Sequence, residues 1–222
     1  MAQLTWLGHA SWELKLNSGE VFLLDPWLDN PKSPGGYTLS RLDGILLTHG
    51  HGDHIGSVLD LAKQFDCPIL GIYDLTSHFE SLGSQKTIGM NKGGTGMIGS
   101  LEVTLTFASH SSPHGDPVGF ILNPPEGPTI YFAGDTDVFG DMRLLAEIYK
   151  PDVAVLPIGD FYTMGPKQAF FAIKLLRPKV VLPMHYGTFP ALTGTPEALQ
   201  ELLVGLPETK LLRPAPGEAV AL

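Results

Sequence analysis

The chain has 222 residues, 43% hydrophobic and 17% charged, which is enough to bury a substantial core. A net charge of −9 argues against a broad nucleic-acid surface, and one cysteine, Cys67, excludes both an internal disulfide and a thiolate metal cluster. "MAQLTWLGHASWELKL" has neither the basic region nor the apolar run of a secretory signal, and no stretch reaches the ~20 apolar residues of a membrane span, so a cytoplasmic protein is expected.

Strand-length apolar runs alternate with helix-like segments. "LTWLG", "SWELKL" and "VFLLD" come first, with the turn "NSGE" before the third. A Pro/Gly-rich excursion, "PWLDNPKSPGGYTLSR", leads to the strand "GILLT" and then to the loop "LTHGHGDHIG" at 47–56. The spacing of Val58, Leu61, Ala62 and Phe65 predicts a helix over 57–65. Further strands read as "PILGIY", "LEVTLTFA", "VGFIL", "TIYFAG", "VAVLPI" and "VVLPMH". Helices are predicted at "DMRLLAEIYK", at "PKQAFFAIKLL" with Pro166 in the first turn, and at "TPEALQELLVGL" with Thr195 capping it. A terminal strand can follow. No linker or repeat interrupts the pattern, so one layered α/β or α+β domain over 1–222 is expected.

His49, His51, Asp53 and His54 crowd one glycine-rich loop. With cysteine absent, imidazole and carboxylate are the usual ligands for zinc and similar ions. In His49-x-His51, alternate side chains of an extended segment can face one ion, and Gly52 is expected to turn the chain so that Asp53 and His54 serve a second. Three other apolar strands also run into metal-capable residues: "LEVTLTFAS" into His110, "TIYFAG" into Asp135 and "VVLPM" into His185. Loops at one edge of a layered sheet converge, which gives a two-metal site. Singly, these three could be a solvated histidine, a turn aspartate and a core histidine. His114 competes with His110 but lies farther from the strand end, and His78 reads as an exposed helical histidine.

These residues, with "LTWLGHASWEL", "LLDPWL", "HSSP", "YFAGDTDVFGDM", "LPIGDFYTMGP" and "LPMHYGTFP", resemble the metallo-β-lactamase superfamily. The likeness runs from residue 4 to residue 190 and is closest to that superfamily's uncharacterised metal-dependent hydrolases, related to ascorbate-6-phosphate lactonase-like proteins. It implies a four-layer αββα sandwich. It also implies that His49, His51 and His110 hold one metal, that Asp53, His54 and His185 hold the other, and that Asp135 bridges them. The implied cofactors are two divalent ions, zinc foremost, with manganese or iron also suited to His/Asp donors. His51 stands where the oxygen-reducing di-iron branch carries Glu, and the inserted domains of the nucleic-acid-processing branches are missing. A small-molecule substrate is therefore expected.

The expected chemistry is hydrolysis of a small ester-like bond, in a lactone or a phosphodiester, by a hydroxide formed between two ions. Asp53 is the catalytic candidate, a ligand through one oxygen and an orienting base through the other. Asp25, at the end of "VFLLD", is expected to fix a metal-bound histidine from behind. His9 is a candidate proton donor or substrate contact, with a packed histidine in the tight Gly8 turn as the alternative, and Thr163 is a candidate for the pocket lining. Lys32, Arg41 and Lys92 are the cations that a phosphate would need, while Trp27 and Leu28 offer an apolar wall. A non-catalytic metal-binding protein on the same fold is the alternative, and a homo-oligomer stays open.

Overall fold

In the computed structural model, which describes residues 1–222, the first half of the chain builds one seven-stranded sheet and the second half another. The first sheet takes β1 (Gln3–Trp6), β2 (Trp12–Lys15), β3 (Val21–Leu24), β4 (Gly44–Leu47), β5 (Ile69–Ile72) and β6 (Thr87–Met90). Helices α1 (Gly52–Ile55), α2 (Val58–Phe65) and α3 (Tyr73–Ser81) fall between its strands. The second sheet takes β7 (Thr95–Ile98), β8 (Leu101–Phe107), β9 (Val118–Asn123), β10 (Ile130–Phe132), β11 (Val153–Pro157), β12 (Val180–Met184) and β13 (Lys210–Leu211). Helices α4 (Met142–Tyr149), α5 (Pro166–Leu176) and α6 (Pro196–Leu203) belong to this half. Strand β14 (Ala219–Ala221) returns to pair with β1.

Each sheet begins antiparallel and continues parallel. In the first, β1, β2 and β3 alternate in direction, and β3 through β6 run parallel. In the second, β7 through β10 alternate, and β10 through β13 run parallel. It follows that β1, β3 and β4 all end at one edge of their sheet, and β8, β10 and β12 at one edge of theirs.

The two-residue period of the strands divides the second sheet between two cores. Phe120, Leu122, Ile130, Phe132, Val153, Val155, Leu182 and Met184 join Trp12, Phe22 and Leu46 of the first sheet in a 36-residue apolar cluster. The alternate residues Ile121, Tyr131, Ala154, Leu156 and Val181 pack outward against Met142, Ala169, Ile173 and Leu199 of the helices. Fully burying one such Phe stabilises the fold by roughly 1.5–3 kcal/mol. Two mixed sheets with helices outside form the expected αββα sandwich. Strands β3, β4 and β5 are buried along their whole length, which explains why they read as continuous apolar runs.

Several details differ from the sequence expectations. Strands β6 and β7 went unread because they are half exposed and glycine-containing, so they carry no apolar run. The residues after His51 form the one-turn helix α1 where a loop was expected. Gly52 sits in open space without a positive φ, so no sharp turn depends on it. Gly50 is the constrained glycine, because a Cβ there would collide with the Pro113 carbonyl oxygen.

Away from the shared strand ends, Glu20 in the β2–β3 turn ties the sheets together. It accepts hydrogen bonds from the Ser100 amide at 2.9 Å and from the Ser100 hydroxyl in the β7–β8 turn. The Ser100 hydroxyl is the main reason the Glu20 carboxyl lies below its ordinary 4.5. A depressed carboxyl contributes stability above 4.5 and loses it as pH falls through the folded value. Glu20→Gln should therefore unfold at lower urea than the wild type at pH 7, with the gap closing toward pH 3. A gap unchanged between those pH values would contradict the assignment.

Candidate metal centre

The shared strand edges bring together side chains that are far apart in sequence. His49 and His51 follow β4, and Asp53 and His54 ride on α1. His110 follows β8, Asp135 follows β10 and His185 follows β12. Asp135 is only 3% exposed, and its Oδ2 lies 3.1 Å from His185 Nε2, 3.3 Å from His54 Nε2, 3.6 Å from His110 Nε2 and 3.9 Å from His49 Nε2. His49 Nε2 faces His51 Nδ1 at 2.9 Å. The nitrogens of His49, His51 and His110 fall within 4.8 Å of one another, as do the ligand atoms of His9, Asp53, His54 and His185. All seven sequence-predicted positions therefore meet. His114 does not join them, since its ring stacks on His78 with centroids 3.6 Å apart.

Hydrogen bonds behind the cluster orient it. Asp25, fully buried, accepts from the Thr48 amide at 2.8 Å, the Thr48 hydroxyl at 2.6 Å and His54 Nδ1 at 2.8 Å. Because the Thr48 hydroxyl donates to Asp25, it can accept from His49 Nδ1, 3.0 Å away. The bonds at both Nδ1 atoms turn Nε2 of His49 and of His54 into the cluster. His54 Nε2 and Asp135 Oδ1 are buried with no hydrogen-bond partner in the protein. Inward-facing ring nitrogens and orphaned polar atoms suit a bound cation, which would displace any proton held on Nε2. The backbone is forced as well as the side chains: His9, Asp25 and His185 have φ of 51°, 47° and 54°, a left-handed region that non-glycine residues rarely adopt.

The sequence matches the beta-lactamase superfamily domain over residues 20–186. It is 45% identical over 228 residues to a UPF0173 metal-dependent hydrolase of Solibacter usitatus, covering 98% of this chain and 99% of the relative. The chain belongs to this metal-dependent hydrolase family. A second such hydrolase, from Caldivirga maquilingensis, is 44% identical and covers 100% of this chain and 99% of its own. Among solved structures, Igni18, a metallo hydrolase from the hyperthermophilic archaeon Ignicoccus hospitalis, superposes with a TM-score of 0.91 at 36% identity, covering 99% of this chain and 97% of its own. No helix of this hydrolase is long and apolar enough to cross a membrane.

Electrostatics in the hydrolase follow from burial. Desolvation holds His49 well below its ordinary value and lowers His110, which keeps both neutral with a free lone pair. Burial also opposes charge on His54, but Asp135 and Asp25 outweigh it and hold this imidazole well above its usual range. Asp135 and Asp53 stay ionised despite desolvation, Asp135 through His185 and His54, Asp53 through its bond from His9. His9 is fully buried, its Nε2 3.0 Å from Asp53 Oδ2, and burial lowers it to about 4. It is thus both a packed histidine of the Gly8 turn and a neighbour of the Asp53 carboxylate.

A cleft of about 380 Å³ opens over the cluster, lined by His51, Gly52, Asp53, His110, Asp135, Tyr162, His185 and Phe189. Thr163 is not among them: it is half-buried and its hydroxyl turns to the Met164 carbonyl, so Tyr162 takes the expected place. Trp27 stacks on Phe189 with centroids 6.0 Å apart. Arg41 and Lys92 are engaged by Asp43 and Asp116 away from the cleft. Thr48, Tyr162 and Phe189 were missed from the sequence. Phe189 lies within "LPMHYGTFP", four residues after His185 and five past the end of β12, beyond the reach of the strand-end signal.

The His185 turn tolerates no side chain at Gly159, whose Cβ would collide with the His185 carbonyl oxygen. Overpacking of this kind costs about 1–3 kcal/mol. Gly159→Ala should lower the thermal midpoint by roughly 2–12 °C for a chain of this length. An unchanged midpoint would mean that the two turns do not press together.

Proposed function

We propose that residues 1–222 act as one domain that holds two divalent cations, zinc foremost, and hydrolyses a small ester-like substrate. The observation that carries this reading is Asp135 Oδ2, 3.1–3.9 Å from four histidine Nε2 atoms that approach from both sheets. In the proposal His49, His51 and His110 hold one cation, Asp53, His54 and His185 hold the other, and Asp135 serves both. The single-domain reading is supported by the larger apolar cluster, which draws on both sheets.

Cations held there supply Lewis acidity and a water acidified toward neutral pH. The protein's own groups do the rest. Asp53, 28% exposed at the cleft, orients the attacking water and takes its proton on the oxygen that His9 leaves free. Asp25 keeps His54 Nδ1 protonated and its Nε2 turned inward. Phe189, backed by Trp27, and Tyr162 give the cleft an apolar side, and no Lys or Arg lines it. That lining favours a lactone or other uncharged carbonyl ester over a phosphodiester, whose negative charge would ask for a cationic clamp. The volume fits a small molecule.

Elemental analysis of protein purified without chelator or metal-binding tag should find about two ions per chain, with fewer in His110→Ala and His185→Ala. Parallel assays on a chromogenic lactone and a chromogenic phosphodiester should favour the lactone, and Asp53→Ala should lose activity by at least ~10²-fold. A wild type that neither contains metal nor takes up zinc or manganese would end the reading. Two bound ions with no turnover on any ester would favour the non-catalytic metal-binding alternative.

A further inference from the structure

Among the features that the proposed chemistry leaves unused, one touches it directly. Thr188, in the turn after β12, places its Oγ1 2.9 Å from His9 Nδ1. The opposite ring nitrogen, Nε2, lies 3.0 Å from Asp53 Oδ2. A carboxylate oxygen can only accept, so Nε2 carries a proton. In the neutral ring that leaves Nδ1 as an acceptor, and the Thr188 hydroxyl is the donor it meets.

The ring has little access to any other partner. It is fully buried, with the His185 ring 4.0 Å away and the Phe189 and Trp27 rings at 5.4 and 5.5 Å, centroid to centroid. Solvent does not choose its tautomer, so the two hydrogen bonds do. Asp53, by contrast, sits on a four-residue helix and is more than a quarter exposed, and the hydrogen bond its carboxylate accepts within the protein comes from His9. His9 is the group that holds Oδ2, and it keeps this oxygen on the His185 side, 3.8 Å from His185 Nε2. The backbone reinforces the link, since the His185 amide donates to the His9 carbonyl at 2.9 Å.

We propose that Thr188 is a positioning residue that acts through His9. Its hydroxyl fixes the His9 tautomer, and the His9 Nε2–H fixes the rotation of the Asp53 carboxylate. The role of Asp53 rests on the two-cation reading above, but the hydrogen-bond chain does not. Sequence reading could not find it, because a threonine three residues after a histidine has no signature of its own, and the partners are 179 and 44 positions apart.

The test compares Thr188→Val, which keeps shape and removes the donor, with Thr188→Ser, which keeps the donor. Two readouts apply: the protonation of the His9 ring nitrogens, by ¹⁵N NMR of histidine-labelled protein, and zinc affinity by chelator competition. Thr188→Ser should match the wild type in both. Thr188→Val should lose the single Nε2–H form of His9 and weaken zinc binding by about ten-fold, the lower end for groups that orient a ligand from behind. Equal losses in both variants would mean that Thr188 only packs, and a His9 tautomer unmoved in Thr188→Val would break the first link. A moved tautomer with unchanged zinc affinity would break the second. If the wild type binds no zinc yet His9 still depends on Thr188, the metal reading fails while the tautomer link stands.

Discussion

A carboxylate buried among imidazoles sets the terms for this fold. Asp135 is 3% exposed, and an isolated charge at that depth would cost several kcal/mol. Four histidine nitrogens within 3.9 Å make the position tenable. Those histidines cannot come from one strand, because neighbouring side chains on a strand point to opposite faces. They arrive from the ends of β4, β8 and β12 and from α1, which requires the two sheets to be docked with their strand ends in line. Two backbone hydrogen bonds hold that alignment: Val118 N to Thr48 O and His185 N to His9 O, each 2.9 Å and each joining one sheet to the other.

Under the proposed reading, cation binding and sheet docking are coupled. An ion held by donors from both sheets binds the docked state and not the separated one, so it stabilises the native protein by mass action. The chain's net charge of −9 fits this arrangement, since bound divalent cations offset part of an acid excess. Asp25 gives the site a stiff back wall: it is fully buried, and its three accepted hydrogen bonds join β3 to the end of β4 and to α1.

Much of this was legible in the sequence because the two signals are of different kinds. Apolar runs such as "VFLL", "GILL" and "VAVLP" mark strands covered on both faces, and the order of such runs gives a layered sandwich. Metal-capable residues directly after those runs mark a shared edge, and all seven meet there. Asp25 was readable for the same reason, as the polar residue that ends β3. The rest depends on contacts that local pattern does not encode. Strands β6, β7 and β13 exist through pairing, not composition. Tyr162 replaces Thr163 at the cleft because Asp160 and Phe161, both with positive φ, reverse the chain just before it. The constraint on Gly50 comes from Pro113, 63 positions away, so the sequence pointed to the wrong glycine of the loop.

The left-handed backbone at His9, Asp25 and His185 bears on how the chain balances folding against chemistry. Asp25 and His185 directly follow a strand and His9 lies in the turn between β1 and β2, each in a conformation that glycine adopts freely and that costs a side-chain-bearing residue roughly 1–2 kcal/mol. These turns aim the three side chains at the cluster instead of continuing the sheet. Selection for backbone comfort alone would drift these positions toward glycine and erase the site, so the native sequence works below the stability its own fold permits.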